Sequence, residues 1–197
     1  MQNSLCEKCH DHKRLATCIH VAQEWMNSES VVLLDTETSG LDDRAEIIEI
    51  SLIDNQGVTL LDTLVRPVSP IPAAATEIHG ICDADVQNAP SWADIHDEFE
   101  RIVAGKKVII YNADYDVRLL AQTSALHGLP APSLDSDCAM DLYARWYGEE
   151  GYCGTYRWKS LLFAAEQCGV VRAGAHRSLV DCEMTLGVIN TIAQTKQ

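Results

Sequence analysis

Val31–Gly40 reads VVLLDTETSG, and the rest of the chain is organised around it. Four apolar residues run directly into Asp35, and Glu37 follows two positions later. Side chains on a strand alternate faces, so Asp35 and Glu37 project from one face at the strand's end. The run Val31, Val32, Leu33, Leu34 has no polar face, which predicts a strand buried on both sides in the middle of a sheet. Two carboxylates crowded at the mouth of such a strand repel each other and lose hydration. Hard divalent cations, Mg²⁺ or Mn²⁺, relieve both penalties. A strand end whose acids simply face water is the structural alternative.

Outward from this stretch, Glu46–Asn55 (EIIEISLIDN) predicts a second strand, and Asn55-Gln56-Gly57 a tight reversal into a third, Val58–Arg66. These three form an antiparallel meander. Ser91–Ala104 predicts a helix with Ser91 as N-cap, Asp94 as its capping-box partner and Gly105 as its stop. Lys107–Asn112 (KVIIYN) is a fourth strand feeding a helix over Ala113–His127, with Asp116 in its first turn. Ser133–Ala139 is a short fifth strand, followed by helices near Met140–Tyr147, Lys159–Cys168 and Ser178–Thr195. Strands that first reverse and then alternate with helices give an α/β class: a mixed five-stranded sheet flanked by helices.

The 197 residues, 47% hydrophobic, suit one globular domain with a short appendage. No stretch has the apolar length of a membrane span, and MQNSLCEKCH is not a secretory signal. Eight scattered cysteines point to reduced thiols and a cytoplasmic protein without membrane attachment. The net charge of −14 argues against clamping long duplex nucleic acid. Within 151–180, Arg157, Lys159, Arg172 and Arg177 face Glu166 alone, a local +3, which predicts a small basic rim for a few nucleotides.

Residues 1–29 predict a helical extension, distinct from a domain over 30–197. Leu5, Cys9, His12, Ala16, Ile19, Gln23 and Met26 make its packing stripe. Cys6, Cys9, His10, His12, Cys18 and His20 also lie here. Cys6-x₂-Cys9 is half of a zinc signature, but Cys18-x-His20 has the wrong spacing for the other half, so a packing helix with incidental thiols is favoured over a zinc site.

In open α/β sheets ligands gather at the strands' carboxyl ends, where Asp35, Glu37 and Asp116 would meet. His176-Arg177-Ser178-Leu179-Val180-Asp181 adds a loop histidine and an acid in the last helix's first turn; Ser178 and Asp181 also fit a capping box. With these residues the chain resembles the DEDDh branch of the DEDD superfamily of 3′→5′ exonucleases, and is similar to the proofreading subunit of bacterial replicative DNA polymerase. The first motif is Asp35-Thr36-Glu37-Thr38-Ser39-Gly40, with Ser39 where threonine is commoner. The second is Tyr111-Asn112-Ala113-Asp114-Tyr115-Asp116, with Tyr111 in place of histidine. The third is His176 to Asp181; Arg177 stands where the sister branch carries tyrosine. Ile78-His79-Gly80-Ile81 and Ala89-Pro90 match the middle segment, so the likeness runs from about Val31 to Ile192.

The resemblance implies a ribonuclease-H-like fold and two-metal hydrolysis at the 3′ end of DNA or RNA, releasing nucleoside 5′-monophosphates. By it, Asp35, Glu37, Asp116 and Asp181 hold two divalent cations, Mg²⁺ or Mn²⁺. His176 is the general base, an imidazole suited to neutral pH. Thr38, Leu41, Ile78, His79 and Tyr115 bind the substrate, with Leu41 wedged against the terminal base and Tyr115 stacked near it. Asp114 is exposed and not a ligand. The implied partners are a single strand or 3′ end and a replication or repair polymerase. The competing readings are a non-catalytic nucleic-acid- or protein-binding module on this fold, and a scavenger of short RNA.

Overall fold

The computed structural model describes residues 2–174 and 176–196, with side chains from Asp11 onward. Its strands are β1 (Val31–Thr38), β2 (Ile47–Asp54), β3 (Thr59–Leu64), β4 (Lys107–Ile110) and β5 (Asp135–Cys138). They join in the order β3-β2-β1-β4-β5. β1, β2 and β3 pair antiparallel, while β4 and β5 pair parallel to β1 and to each other. The meander and the mixed five-stranded sheet are both as expected, with β1 at the centre. The helices are α1 (Gln2–Asn27), α2 (Ala73–His79), α3 (Asp83–Val86), α4 (Trp92–Val103), α5 (Ala113–Leu126), α6 (Ala139–Tyr147), α7 (Leu161–Cys168) and α8 (Ser178–Ala193).

Alternation along β1 builds both halves of the core. Val31 and Leu33 pack with Cys18, Ala22 and Trp25 of α1, Tyr143 of α6, and Val188 and Ile192 of α8. Val32 and Leu34 pack on the other face with Trp92 and Phe99 of α4 and Leu119 and Leu120 of α5. Burying each such side chain contributes about 1.5–3 kcal/mol, so β1 is the most firmly fixed element near the site. α4 places Trp92, Ile95, Phe99 and Val103 inward at helical spacing. The Ser91 N–H donates to the Asp94 carboxylate at 2.7 Å, and Gly105 leaves the helix in the left-handed region at φ 70°.

α1 packs on α6 and α8 through a stripe that keeps Ile19, with Ala16 and Met26 partly buried, but is rotated from the expected one at His12 and Gln23. His12 and Gln23 are exposed, whereas Cys18, Ile19, Ala22 and Trp25 are buried. Trp25 offers far more apolar area than Gln23, and its burial turns the helix accordingly. Among the described residues no helix is long and apolar enough to cross a membrane.

Candidate active site

The site lies at the carboxyl ends of β1 and β4, parallel neighbours at the middle of the sheet. Asp35 and Glu37 are half-buried while Thr36 and Thr38 are buried, the alternation of a strand. Past β4, Asn112 precedes α5 in the left-handed region at φ 74°. One turn on, buried Asp116 accepts the Thr36 hydroxyl at 2.6 Å on Oδ1. Asp181 stands in the first turn of α8, where its Oδ1 accepts the backbone N–H of His176 at 3.3 Å. The capping box expected between Ser178 and Asp181 is not formed. Arg177 is the N-cap residue and Ser178 already lies inside the helix, so the carboxylate reaches back to His176 instead.

Asp35, Glu37, Asp116, Asp181 and His176 line a single cavity of about 300 Å³. Ligand atoms of Glu37, His176 and Asp181 lie within 4.8 Å of one another. Asp114 is exposed, as expected of a residue turned away from the site. Burial pushes all four acids up. Asp35 rises well above the carboxylate range, with Asp116, Asp181 and Glu37 adding repulsion. Burial and then Asp181 carry Glu37 to about 8. Asp116 reaches about 7 through burial, against the Thr36 hydrogen bond, and Asp181 about 6, against the His176 N–H. Four carboxylates and one imidazole in that state are a donor set short of positive charge, which hard divalent cations fit.

His176 and Asn112 are both left-handed, at φ 67° and 74°, and both line this cavity. Non-glycine residues held there cost about 1–3 kcal/mol each, and such strain clusters at functional sites.

A second cavity of about 710 Å³ opens beside the first and shares Thr36, Glu37, Asn112 and Tyr115 with it. The residues expected to bind substrate, Thr38, Leu41, Ile78, His79 and Tyr115, all line it. Leu41 and Ile78 are 80% and 62% exposed, apolar edges at an open mouth. Tyr115 is held rigidly: its hydroxyl donates to the Gly40 carbonyl at 2.8 Å and lies 2.7 Å from the Thr38 hydroxyl. His79 is buried and its Nδ1 accepts the Ile81 N–H at 3.0 Å. Burial also lowers its pKa, so the ring is neutral with the proton on Nε2. That nitrogen lies near the Thr38 backbone without a well-formed hydrogen bond among the described residues, leaving a donor that a ligand can engage.

The profile of the exonuclease family matches residues 32–189, most of the chain and a span that contains this site. The chain belongs to that family. This exonuclease is 47% identical over 186 residues to an uncharacterized exonuclease of Escherichia phage 186, covering 91% of the chain and 95% of the relative. It is also 33% identical over 106 residues to the DNA polymerase III subunit epsilon of Buchnera aphidicola, spanning 49% of the chain but only 46% of that subunit. Among solved structures it is similar to exonuclease X in complex with 5′ overhanging duplex DNA, with TM-score 0.62, 26% identity, and coverage of 82% of this chain and 90% of that one.

Glu49 is the residue of the exonuclease that pattern reading passed over. It sits opposite Glu37 in the β1–β2 register, on the same face, where two acids would repel. The Arg177 guanidinium relieves this, donating to the Glu49 carboxylate from Nε at 3.0 Å and from Nη2 at 2.5 Å. The Ser178 N–H donates to the same carboxylate at 2.9 Å, so Glu49 caps α8 from the neighbouring strand. This clamp fixes the loop that carries His176 and the turn that carries Asp181. The available signal was a lone acid between Ile48 and Ile50 in an otherwise apolar strand.

One expectation changes. The basic rim is largely neutralised by acids outside its window: Arg157 and Lys159 share Glu149, Arg172 pairs with Glu183, and Arg177 with Glu49. At the N-terminus, Cys18 is buried in the core while His20 is exposed beside Glu24 at 3.4 Å. Positions two apart on a helix do not face each other, so Cys18 and His20 do not form a ligand pair. Exposed His12 is likewise apart from Cys18, and the Cys6, Cys9 and His10 side chains lie outside the described residues.

Proposed function

We propose that this exonuclease hydrolyses phosphodiester bonds stepwise from the 3′ end of DNA, releasing nucleoside 5′-monophosphates. The observation that carries the reading is the meeting of four proton-hungry carboxylates and one imidazole in a single cavity. Beside it lies an open pocket roomy enough for a nucleoside, edged by Leu41 and Ile78. Asp35, Glu37, Asp116 and Asp181 would hold two Mg²⁺ or Mn²⁺ ions. Such cations, when bound, polarise phosphoryl oxygens and lower the pKa of water. His176 takes the proton of the attacking water on a ring nitrogen, since its imidazole is exposed and makes no hydrogen bond among the described residues. His79 Nε2–H donates to an oxygen of the terminal nucleotide. Leu41 and Ile78 hold its base, with Thr38 and Tyr115 shaping the wall.

Residues 30–197 act as the catalytic domain and 1–29 as a helical extension buttressing α6 and α8. DNA is favoured because epsilon subunits serve DNA polymerase and the matched exonuclease X structure holds DNA. A polymerase partner follows from the same relatives, although the chain spans under half of the epsilon subunit. The test uses a 5′-labelled single strand with Mn²⁺. The expected result is a ladder of stepwise shortening, abolished by chelator and by Asp35→Asn or His176→Ala in folded protein. Full activity in either variant would overturn the assigned roles, and cleavage of RNA alone would overturn the substrate.

A further inference from the structure

Beyond the catalytic and nucleoside cavities lies a third concavity of about 870 Å³, lined by Asp141 and Arg145 of α6 and by the segment Gly151–Trp158. Its side chains are aromatic and cationic rather than aliphatic. Tyr152 is 88% exposed and Trp158 68% exposed, an unusual state for residues with so much apolar area. Trp158 is not loose. Its indole N–H donates to Asp141 Oδ1 at 2.8 Å, so the polar edge is satisfied and the ring face is what the protein presents. Tyr156 is half-buried with the Arg14 guanidinium 5.3 Å from its ring centroid, forming a stacked floor.

The segment that forms this groove is tied to the wall of the catalytic cavity. The buried Tyr111, which lines that cavity, donates its hydroxyl to the carbonyls of Lys159 at 3.0 Å and Ser160 at 3.3 Å. Leu161 lines the catalytic cavity itself, three residues after Trp158. Tyr111, at the position where the resembled family more often has histidine, thus ties the aromatic segment to the end of β4.

We infer that this groove is a stacking platform for the single-stranded nucleic acid leading away from the scissile bond, in which Tyr152 and Trp158 receive bases and Arg145 reaches the backbone. The inference rests on the nuclease reading above. Three features favour this occupant. Flat aromatic faces suit any base sequence. The segment that forms the groove runs on through Lys159 and Ser160, held by the Tyr111 hydroxyl, to Leu161 in the wall of the cavity where the strand's end would lie. Arg145 is exposed and has no ion-pair partner among the described residues, whereas Arg157 is already engaged by Glu149. Because most cations nearby are neutralised, stacking rather than phosphate attraction carries the contact, and affinity depends only weakly on salt.

Tyr152→Ala and Trp158→Ala test this with Mn²⁺ on two substrates, a single-stranded DNA 12-mer and thymidine 5′-monophosphate p-nitrophenyl ester, which reaches only the catalytic end. The expected result is a KM for the 12-mer raised by about five- to hundredfold in each variant, with ester hydrolysis changed by less than about twofold. Equal effects on both substrates, or none on either, would overturn the platform. If the wild-type protein cleaves neither substrate, it is the nuclease reading that fails. The groove is then judged by fluorescence anisotropy of a labelled 12-mer, where equal affinity of wild type and both variants would overturn it.

Discussion

Removing divalent cations and raising the pH should destabilise this protein, and the size of the effect follows from the acids. Glu37 moves from 4.5 to about 8 on folding. Between about pH 5.5 and 8 the unfolded chain has therefore released a proton that the folded chain still holds. The folded state binds more protons across this window, so unfolding free energy falls as pH rises. Each pKa unit is worth about 1.4 kcal/mol, and Glu37 alone removes about 3 kcal/mol over the window. Asp116, taken from 3.8 to about 7, and Asp181, from 3.8 to about 6, act in the same direction. The four carboxylates repel one another, so their losses overlap instead of adding in full. For a chain of this length about 3 kcal/mol corresponds to a Tm lower by about 6–12 °C. Thermal unfolding in EDTA at the two pH values measures it. Mg²⁺ or Mn²⁺ should remove most of the drop by supplying the missing positive charge, and Glu37→Gln in EDTA should reduce it, leaving the share of Asp116 and Asp181. A metal-free protein as stable at pH 8 as at pH 5.5 would refute the argument that these acids are crowded and desolvated.

Arg177→Met should leave the Glu49 carboxylate buried with the Ser178 N–H as its one remaining donor among these contacts, costing about 3 kcal/mol in denaturant unfolding; Glu49→Gln should cost less, because no charge is stranded. Tyr111→Phe removes the hydroxyl shared by the Lys159 and Ser160 carbonyls and should lower stability by about 1 kcal/mol, with faster amide hydrogen exchange confined to the segment before α7. Gly187→Ala should destabilise despite better helix propensity. Its Cβ would meet the Val170 Cβ at 2.9 Å where α8 passes the end of α7, and the Tm should fall rather than rise.

Much of the site was legible because strand and helix periods convert spacing into direction. The two-residue step from Asp35 to Glu37 puts both on one face of β1, and the apolar run before them demands a central strand. The position of Asp116 after β4 and of Asp181 after His176 assigns each to the first turn of a helix. All these are local statements, and local geometry obeys short-range rules. The stripe of α1 was misjudged because several faces of that helix are comparably mixed, and only the partner surfaces of α6 and α8 select Trp25 over Gln23.

Other features belong to the tertiary structure. Glu49 and Arg177 lie 128 positions apart, and nothing local tells a buried clamp from two surface charges. The local excess of cations in 151–180 vanished once Glu149, Glu183 and Glu49 came within reach, since net charge along a chain says nothing of distance in space. The aromatic groove depends on α6 meeting a segment that follows it, and on Asp141 holding the Trp158 indole edge. Sequence alone placed Asp35, Glu37, Asp116, His176 and Asp181 at the ends of their strands and helices, and the structure brings them into one cavity. Packing alone decided which charges meet, because pairing energy depends on separation and solvent exposure, and both are set only when the whole chain has closed around β1.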